Sequence, residues 1–214
     1  MKFLYGLSGA GVPVIRDFEI DSKAEIYTGE VVTLTDGGVI GKGCNGLVLG
    51  VAAEDHTGKN DILNERNNAG KLRVDITKDG VYSVPASKLT VSKKGTGTSI
   101  VCPFDMEGAN LAGAKLILTA KGENSENTDS VGTERKIGSV SYSDGVATFT
   151  VNDGGISCTG DVYALIPPYG YKGSVADDCK SFSCNSAGGI TLTVAGYDKM
   201  NATLEVILGK RYFD

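Results

Sequence analysis

Apolar and polar positions alternate in short runs along the chain, with turn-forming residues between the runs. The runs are rich in Val, Ile, Leu and Thr, and most are bounded by Gly, Asp or Asn, as β-strands commonly are. Ten runs predict strands, at residues 30–35, 47–53, 72–76, 80–84, 114–120, 136–142, 145–151, 161–167, 189–195 and 202–208. Because the runs are short and closely spaced, we expect an all-β fold.

Two local signals add detail to this prediction. Asp144-Gly145 lies between two of the runs, and Asp and Gly readily adopt the positive φ angles of a tight hairpin turn. We therefore expect a β-hairpin there. The one helix candidate is residues 61–69, with Asp61 as N-cap and Gly70 as the stop.

The length of 214 residues allows one large β domain or two small ones. We expect an N-terminal arm (1–24), a small β-barrel or β-tulip unit (25–95) and a second β-sandwich or barrel unit (96–214). Residues 90–99 contain Lys, Gly, Ser and Thr without apolar periodicity, which predicts an exposed connector.

The first 24 residues mix apolar side chains with glycines. Gly6, Gly9 and Gly11 interrupt the apolar segment, which argues against a secretory signal. An extended arm with a few apolar anchors can pack on a neighbouring subunit as readily as on its own domain. The candidate contact residues of the arm are Phe3, Leu4, Tyr5, Leu7, Val12 and Val14.

The charge pattern argues against two classes of partner. The formal net charge is −5, and no basic cluster exceeds the Lys93-Lys94 pair. A surface that binds nucleic acid needs several clustered Lys or Arg residues, so we expect no nucleic-acid partner. No run approaches the roughly 18 consecutive apolar residues of a membrane-spanning helix, so we expect no membrane partner.

Residue types that carry catalysis are sparse. His56 is the only histidine, and it follows a predicted strand, so we expect an exposed polar turn; a metal-binding or acid–base cluster is the alternative. The pairs Asp105/Glu107 and Asp177/Asp178 could in principle serve glycoside hydrolysis. The chain has no Trp to line a sugar-binding cleft. We expect no catalytic residue, metal or cofactor.

Five cysteines occur at positions 44, 102, 158, 179 and 184. Their number is odd and none form a CxxC pair, which favours small buried thiols in a reducing compartment. Cys179 and Cys184 are close enough in sequence for a hairpin disulfide or a metal site. A second pair of ligands is missing, so zinc is weakly supported.

Three tyrosines surround a proline pair, Pro167-Pro168, which stiffens the local backbone. They are Tyr163, Tyr169 and Tyr171. Two interpretations stay open: a platform on which a ligand stacks, or a packed corner or subunit contact.

Residues 26–85 repeat an order of Gly, apolar run, Asp-Gly turn, Gly and apolar run. The stretches that carry this order are Gly29-Glu30-Val31-Val32, Asp36-Gly37, Leu49-Gly50-Val51-Ala52 and Gly80-Val81-Tyr82. In this pattern the chain resembles the capsid decoration, or cement, proteins of tailed bacteriophages. The resemblance does not cover residues 59–70 or the half after Thr98.

The resemblance implies a non-enzymatic structural virion protein with a β-barrel or β-tulip fold. Such a protein is made in the host cytoplasm, lies on the capsid exterior and bridges subunits of the phage major capsid protein, which it stabilises. The implied partners are the major capsid protein and copies of the chain itself, as in a trimer. The resemblance carries over no catalytic residue.

Two other classes of protein remain as alternatives. One is a carbohydrate-binding or host-attachment module that binds a glycan through the three tyrosines. The other is a secreted or surface immunoglobulin-like protein.

Overall fold

Short strands make up the regular structure of the chain. The computed structural model describes residues 1–7, 12–21, 23–35, 39–43, 46–57, 70–104, 109–153, 157–185 and 189–209. These residues form strands and no helix, which confirms the predicted all-β fold. The predicted helix at 61–69 lies outside them. The strands are β1 (Lys2–Gly6), β2 (Ile15–Glu19), β3 (Val31–Leu34), β4 (Ile40–Lys42), β5 (Leu47–Ala52), β6 (Lys71–Asp75), β7 (Gly80–Pro85), β8 (Ser87–Thr90), β9 (Ser99–Pro103), β10 (Lys115–Ala120), β11 (Glu134–Ser143), β12 (Val146–Val151), β13 (Val162–Ile166), β14 (Lys172–Val175), β15 (Phe182–Ser183), β16 (Thr191–Asp198) and β17 (Thr203–Leu208).

The strands form three sheets. Sheet A has the order β1-β7-β17-β16-β14-β15, sheet B the order β2-β6-β5-β3-β4, and sheet C the order β8-β13-β10-β11-β12-β9. The described ladders within them are antiparallel. The predicted hairpin at Asp144-Gly145 is confirmed: φ is 51° at Asp144 and 75° at Gly145, and Ser143 pairs with Val146.

Sheet B curls around an apolar core. Alternate side chains of its strands point inward, and the buried cluster comprises Ile20, Ile26, Val32, Ile40, Leu49, Ala52, Leu72 and Val74. The two edges of the sheet meet only at an isolated parallel bridge between Ile20 and Ile40. In the described residues sheet B is therefore curled but not a closed barrel.

Sheet C curls in a similar way around its own core. The core includes the fully buried side chains of Leu116, Phe149 and Leu165. Its two edges approach each other where Lys93 forms an isolated bridge with Val101. This bridge places the predicted connector at 90–99 against the edge of the sheet. In the described residues sheet C, like sheet B, is not a closed barrel.

The chain divides into two compact units that do not follow its linear order. Unit 1 comprises Met1–Val84, Lys172–Ala195 and Glu205–Asp214, and unit 2 comprises Pro85–Tyr171 and Gly196–Leu204. We expected two consecutive units, 25–95 and 96–214. The physical reason for the difference is long-range pairing, because β14 to β17 belong to the same sheet as β1 and β7.

The described part of residues 1–24 also differs from a separate arm. β1 pairs with β7, and β2 pairs with β6 along its whole length from Ile15 to Glu19. These strands are therefore built into sheets A and B of the same chain. Contact of their outward-facing side chains with a capsid stays a prediction.

Candidate interaction surface

The backbone of the N-terminal segment is fixed by hydrogen bonds to its own unit. Beyond β1, the N–H of Leu7 donates to the carbonyl of Asp79 at 3.1 Å. The N–H of Val14 donates to Oγ1 of Thr77 at 2.7 Å, and the carbonyl of Val14 accepts from the N–H of Ile76 at 2.9 Å. The backbone at Leu7 and at Val14, on the two sides of the undescribed stretch 8–11, is thus held in place.

The six predicted contact residues have different environments. Phe3 is half-buried and packs edge-to-face on the buried ring of Tyr82, with ring centroids 5.9 Å apart, so it anchors β1 to its own sheet. Four aliphatic side chains face solvent, with exposed fractions of 38% for Leu4, 58% for Leu7, 74% for Val12 and 40% for Val14. The side chain of Tyr5 lies outside the described part of the structure.

The three tyrosines of the predicted ligand platform are not equally accessible. Tyr163 is 2% exposed, and its hydroxyl accepts a hydrogen bond from Nδ2 of Asn127 at 3.0 Å. Burial raises the pKa of Tyr163 to about 12. Tyr163 is therefore a core residue, and its ring is not available for stacking on a ligand. Tyr171 is half-buried.

Tyr169 is displayed on a tight turn. The N–H of Tyr171 donates to the carbonyl of Pro168 at 3.0 Å, and Gly170 has a φ of 77°, which a glycine adopts without steric cost. The side chain of Tyr169 is 84% exposed. Of the predicted platform, this ring alone is fully presented to solvent.

His56 is not in an exposed turn, and that prediction is wrong. The residue is 1% exposed, its backbone forms an isolated bridge with Ile26, and its Nδ1 lies 2.7 Å from the carbonyl oxygen of Ala24. Its Nε2 is buried with no hydrogen-bond partner in the described structure. The side chain is therefore a packed part of unit 1.

The carboxylate pairs contribute no visible catalytic arrangement. Asp105 and Glu107 lie outside the described residues. Asp178 accepts hydrogen bonds from the N–H groups of Lys180 and Ser181 at 2.9 and 2.8 Å, so it holds its own loop. Within the described ranges, no cluster of three or more His, Cys, Asp or Glu residues could hold a metal ion.

One buried polar cluster was missed by the sequence analysis. Asp161 has no exposed surface, and its carboxylate accepts from the N–H of Gly122 at 2.9 Å, the N–H of Cys158 at 3.0 Å and Nδ2 of Asn127 at 2.8 Å. Burial by itself raises the pKa of Asp161, but these hydrogen bonds outweigh it and lower the pKa below its usual value. The carboxylate ties the loop after β10 to the start of β13.

The described cysteines, at positions 102, 158, 179 and 184, are buried and form no disulfide with one another. Burial raises the pKa of both Cys102 and Cys184 to about 12, so these thiols stay protonated and unreactive near neutral pH. The disulfide considered for Cys179 and Cys184 is therefore not formed here. Cys44 lies outside the described residues.

Comparison with known proteins finds no matching family model, no matching curated protein and no matching solved structure. Across the described ranges, no helix has the length and apolarity needed to cross a membrane. The candidate surface therefore depends on the geometry of this chain.

Proposed function

We propose that this protein is a non-enzymatic structural protein of a tailed bacteriophage that binds the capsid exterior and stabilises the lattice of major capsid protein. In this proposal the contact surface is the N-terminal surface, defined as the side chains of Leu4, Leu7, Val12 and Val14. The resemblance of residues 26–85 to capsid decoration proteins suggested the function. The observation that supports the proposed function is the exposure of these four side chains.

Exposed apolar residues are concentrated in the N-terminal part of the sequence. Nine large hydrophobic side chains are exposed in the described residues, and four of them fall between positions 4 and 14. Single exposed apolar residues are common on monomeric proteins, whereas grouped ones mark contact sites. The hydrogen bonds of Leu7 and Val14 fix the backbone in advance, which lowers the entropy lost when a partner binds.

The edge position of β1 supports the same role. In the described residues β1 pairs with β7 alone and ends sheet A. An edge strand can add backbone hydrogen bonds to an extended segment of a partner while its side chains supply apolar contact. A decoration protein needs this combination, because it must hold subunits together by many repeated contacts.

The test is co-sedimentation of the purified protein with empty, expanded phage capsids, comparing wild type with the double variant Leu7→Ser/Val12→Ser. Burying two aliphatic side chains contributes about 3 kcal/mol, so we expect the variant to bind roughly 100-fold more weakly. Bound wild-type protein should also delay capsid disruption by heat or chaotrope. Deleting residues 1–24 is a poorer test, because it removes β1 and β2 from their sheets.

Leu47→Ser is the matched control, because Leu47 is 44% exposed in unit 1 but lies outside the N-terminal surface. It should bind capsids like wild type, and all variants should keep the wild-type melting temperature. The proposal is wrong if wild-type protein does not co-sediment saturably. It is also wrong if the double variant binds as tightly as wild type.

The second candidate function is glycan binding for host attachment, which the 84% exposure of Tyr169 on its proline-stiffened turn favours. An exposed, rigid aromatic ring can stack on a sugar. Tyr169→Ala should then abolish retention on a glycan array without changing capsid occupancy. If wild-type protein retains no glycan, this second function is excluded.

A further inference from the structure

A second surface, on unit 2, combines exposed apolar side chains with an exposed lysine. A groove of about 540 Å³ is lined by Val131, Gly132, Thr133, Lys199 and Met200. Val131 is 60% exposed and Met200 is 91% exposed, and all lining residues and their chain neighbours are described. The volume lies within the roughly 300–1,000 Å³ of sites that hold compact ligands.

One wall of the groove is the loop before β11. Arg135 binds the carboxylate of Asp129 with two nitrogens, one of them Nε at 3.0 Å. The N–H of Gly132 donates to the carbonyl of Leu118 at 2.7 Å, which ties the loop to β10. Val131 is therefore presented by a loop that is already ordered.

The other wall is the turn between β16 and β17. The carboxylate of Asp198 accepts from the N–H of Met200 at 2.8 Å and from Nδ2 of Asn201 at 2.6 Å. This turn also needs a positive φ of 50° at Ala202. Met200 thus projects from a fixed turn rather than from a freely moving one.

The charged residues in and beside the groove balance in number, three basic and three acidic, and they differ in how their groups are engaged. The carboxylate of Glu134, which follows Thr133, is bound by Nζ of Lys115 at 2.7 Å and by the hydroxyl of Tyr197 at 2.8 Å. The carboxylate of Asp198 is occupied by the N–H groups of its turn, and Asp129 is neutralised by Arg135. Lys199 is exposed, and it forms no hydrogen bond or ion pair with a described residue, although its ammonium attracts the carboxylate of Glu134 electrostatically.

We infer that this groove binds an acidic peptide segment of a partner protein, in which a carboxylate lies beside aliphatic side chains. The carboxylate would pair with Lys199 while the aliphatic side chains cover Met200 and Val131. Exposed ion pairs contribute little on their own, so the apolar contact provides affinity and the charge selects the sequence. The inference does not depend on the proposed capsid function, because it concerns a different surface and needs no capsid.

The experiment is an amide NMR titration of the full-length protein with three capped peptides, SLDLS, SLKLS and SSDSS. We expect saturable shifts from SLDLS at residues 130–134 and 197–201, with binding at least about five-fold tighter than to either other peptide. Lys199→Glu should weaken SLDLS binding by a similar factor and should now favour SLKLS. This exchange of preference cannot arise from misfolding.

Lys88→Glu is the matched control, because Lys88 is exposed in unit 2 and does not line the groove; it should bind SLDLS like wild type. Met200→Ser should weaken SLDLS binding without changing the preference for acidic peptides. Equal binding of SLDLS and SLKLS, shifts confined to other residues, or no saturable shift at millimolar peptide would overturn the inference. Concentration-dependent shifts at the groove without peptide would also overturn it, since a second copy of the chain would then be the occupant.

Discussion

Asp161 shows how a single buried charge can be retained in unit 2. Removing a carboxylate from water is costly unless hydrogen bonds replace the lost hydration. Asp161 receives bonds from two backbone N–H groups and the Asn127 amide, and that amide also donates to Tyr163. The charge is therefore compensated locally, and it fixes a loop that contains few apolar residues.

Replacing this carboxylate should destabilise the protein. Asp161→Asn keeps the shape of the side chain but removes its charge, and it places the new amide against the amide of Asn127. We therefore expect a loss of about 2 kcal/mol in the free energy of unfolding. Urea denaturation of wild type and variant at pH 7 measures this difference in the free energy of unfolding. Glu123→Gln, at an exposed position of the same unit, should change the free energy by less than about 0.5 kcal/mol.

The pH dependence gives a second measurement of the same residue. Because the pKa of Asp161 is lowered in the folded protein, its contribution is fully present above the unfolded value of about 3.9 and is lost as the pH falls through the folded pKa. The stability difference between wild type and Asp161→Asn should thus be constant near neutrality and shrink below about pH 4. A difference independent of pH would show that the charge is not what stabilises the loop.

At the residue scale, the sequence predicted the burial of the described cysteines but not that of His56. The five cysteines were predicted as small buried thiols, and the four described ones are buried thiols. His56 was expected in an exposed turn and is buried, and the burial of Tyr163 excludes the ligand-platform interpretation for that residue but agrees with the packed-corner one. Their burial is set by strands far away in sequence, which a local pattern does not contain.

At the scale of elements, position within a sheet decided which strands were predictable. Of the seventeen strands in the described residues, the ten predicted ones all lie in sheet interiors. Six of the seven missed strands, namely β1, β2, β4, β8, β9 and β15, are sheet edges. Edge strands are exposed on one side and are short or polar, so their apolar pattern is weak. β2 illustrates this, since its two half-buried apolar residues are separated by the exposed pair Arg16-Asp17 and followed by the exposed Glu19.

The pairing of β5 with β6 leaves no room for a side chain at Gly50. A Cβ on Gly50 would lie 2.1 Å from the carbonyl oxygen of Asp75 and 2.8 Å from Cγ1 of Val74. Since the first of these atoms is backbone, the two strands would have to separate. We expect Gly50→Ala to cost about 3 kcal/mol or more, as overpacking of a core does, measured by thermal and urea denaturation.

Gly113→Ala separates this steric effect from backbone strain. Gly113 has a φ of 82° and no atom within 4 Å of an added Cβ, so its substitution should cost only about 1 kcal/mol. If the two variants lose equal stability, close packing is not the reason for Gly50.

At the scale of the whole molecule, each unit is assembled from distant segments. Unit 1 takes residues from three parts of the chain and unit 2 from two. Neither unit can be complete until the C-terminal strands have been added. This arrangement favours long-range contacts, which form slowly because loop closure must precede them.

Cutting the chain at the boundary suggested by the sequence should therefore prevent folding. Fragments 1–95 and 96–214 each lack strands or loops of their own unit, so we expect neither to unfold cooperatively or to give dispersed amide NMR signals, whereas the full chain should do both. A cooperative transition in fragment 1–95 alone would contradict this, because β14 to β17 would then be dispensable.

The sequence by itself determined the all-β class, the interior strands and the hairpin at Asp144-Gly145, because alternation and turn chemistry act between near neighbours. It also singled out Leu4, Leu7, Val12 and Val14 as candidate contact residues, and their contact with a partner stays a prediction. Only the tertiary structure decided that β1 and β2 belong to the sheets, that Tyr163 is buried and that Val131 and Met200 line one groove. Those features depend on pairing between residues far apart in sequence, where many partners satisfy the same local pattern and only the complete packing selects one.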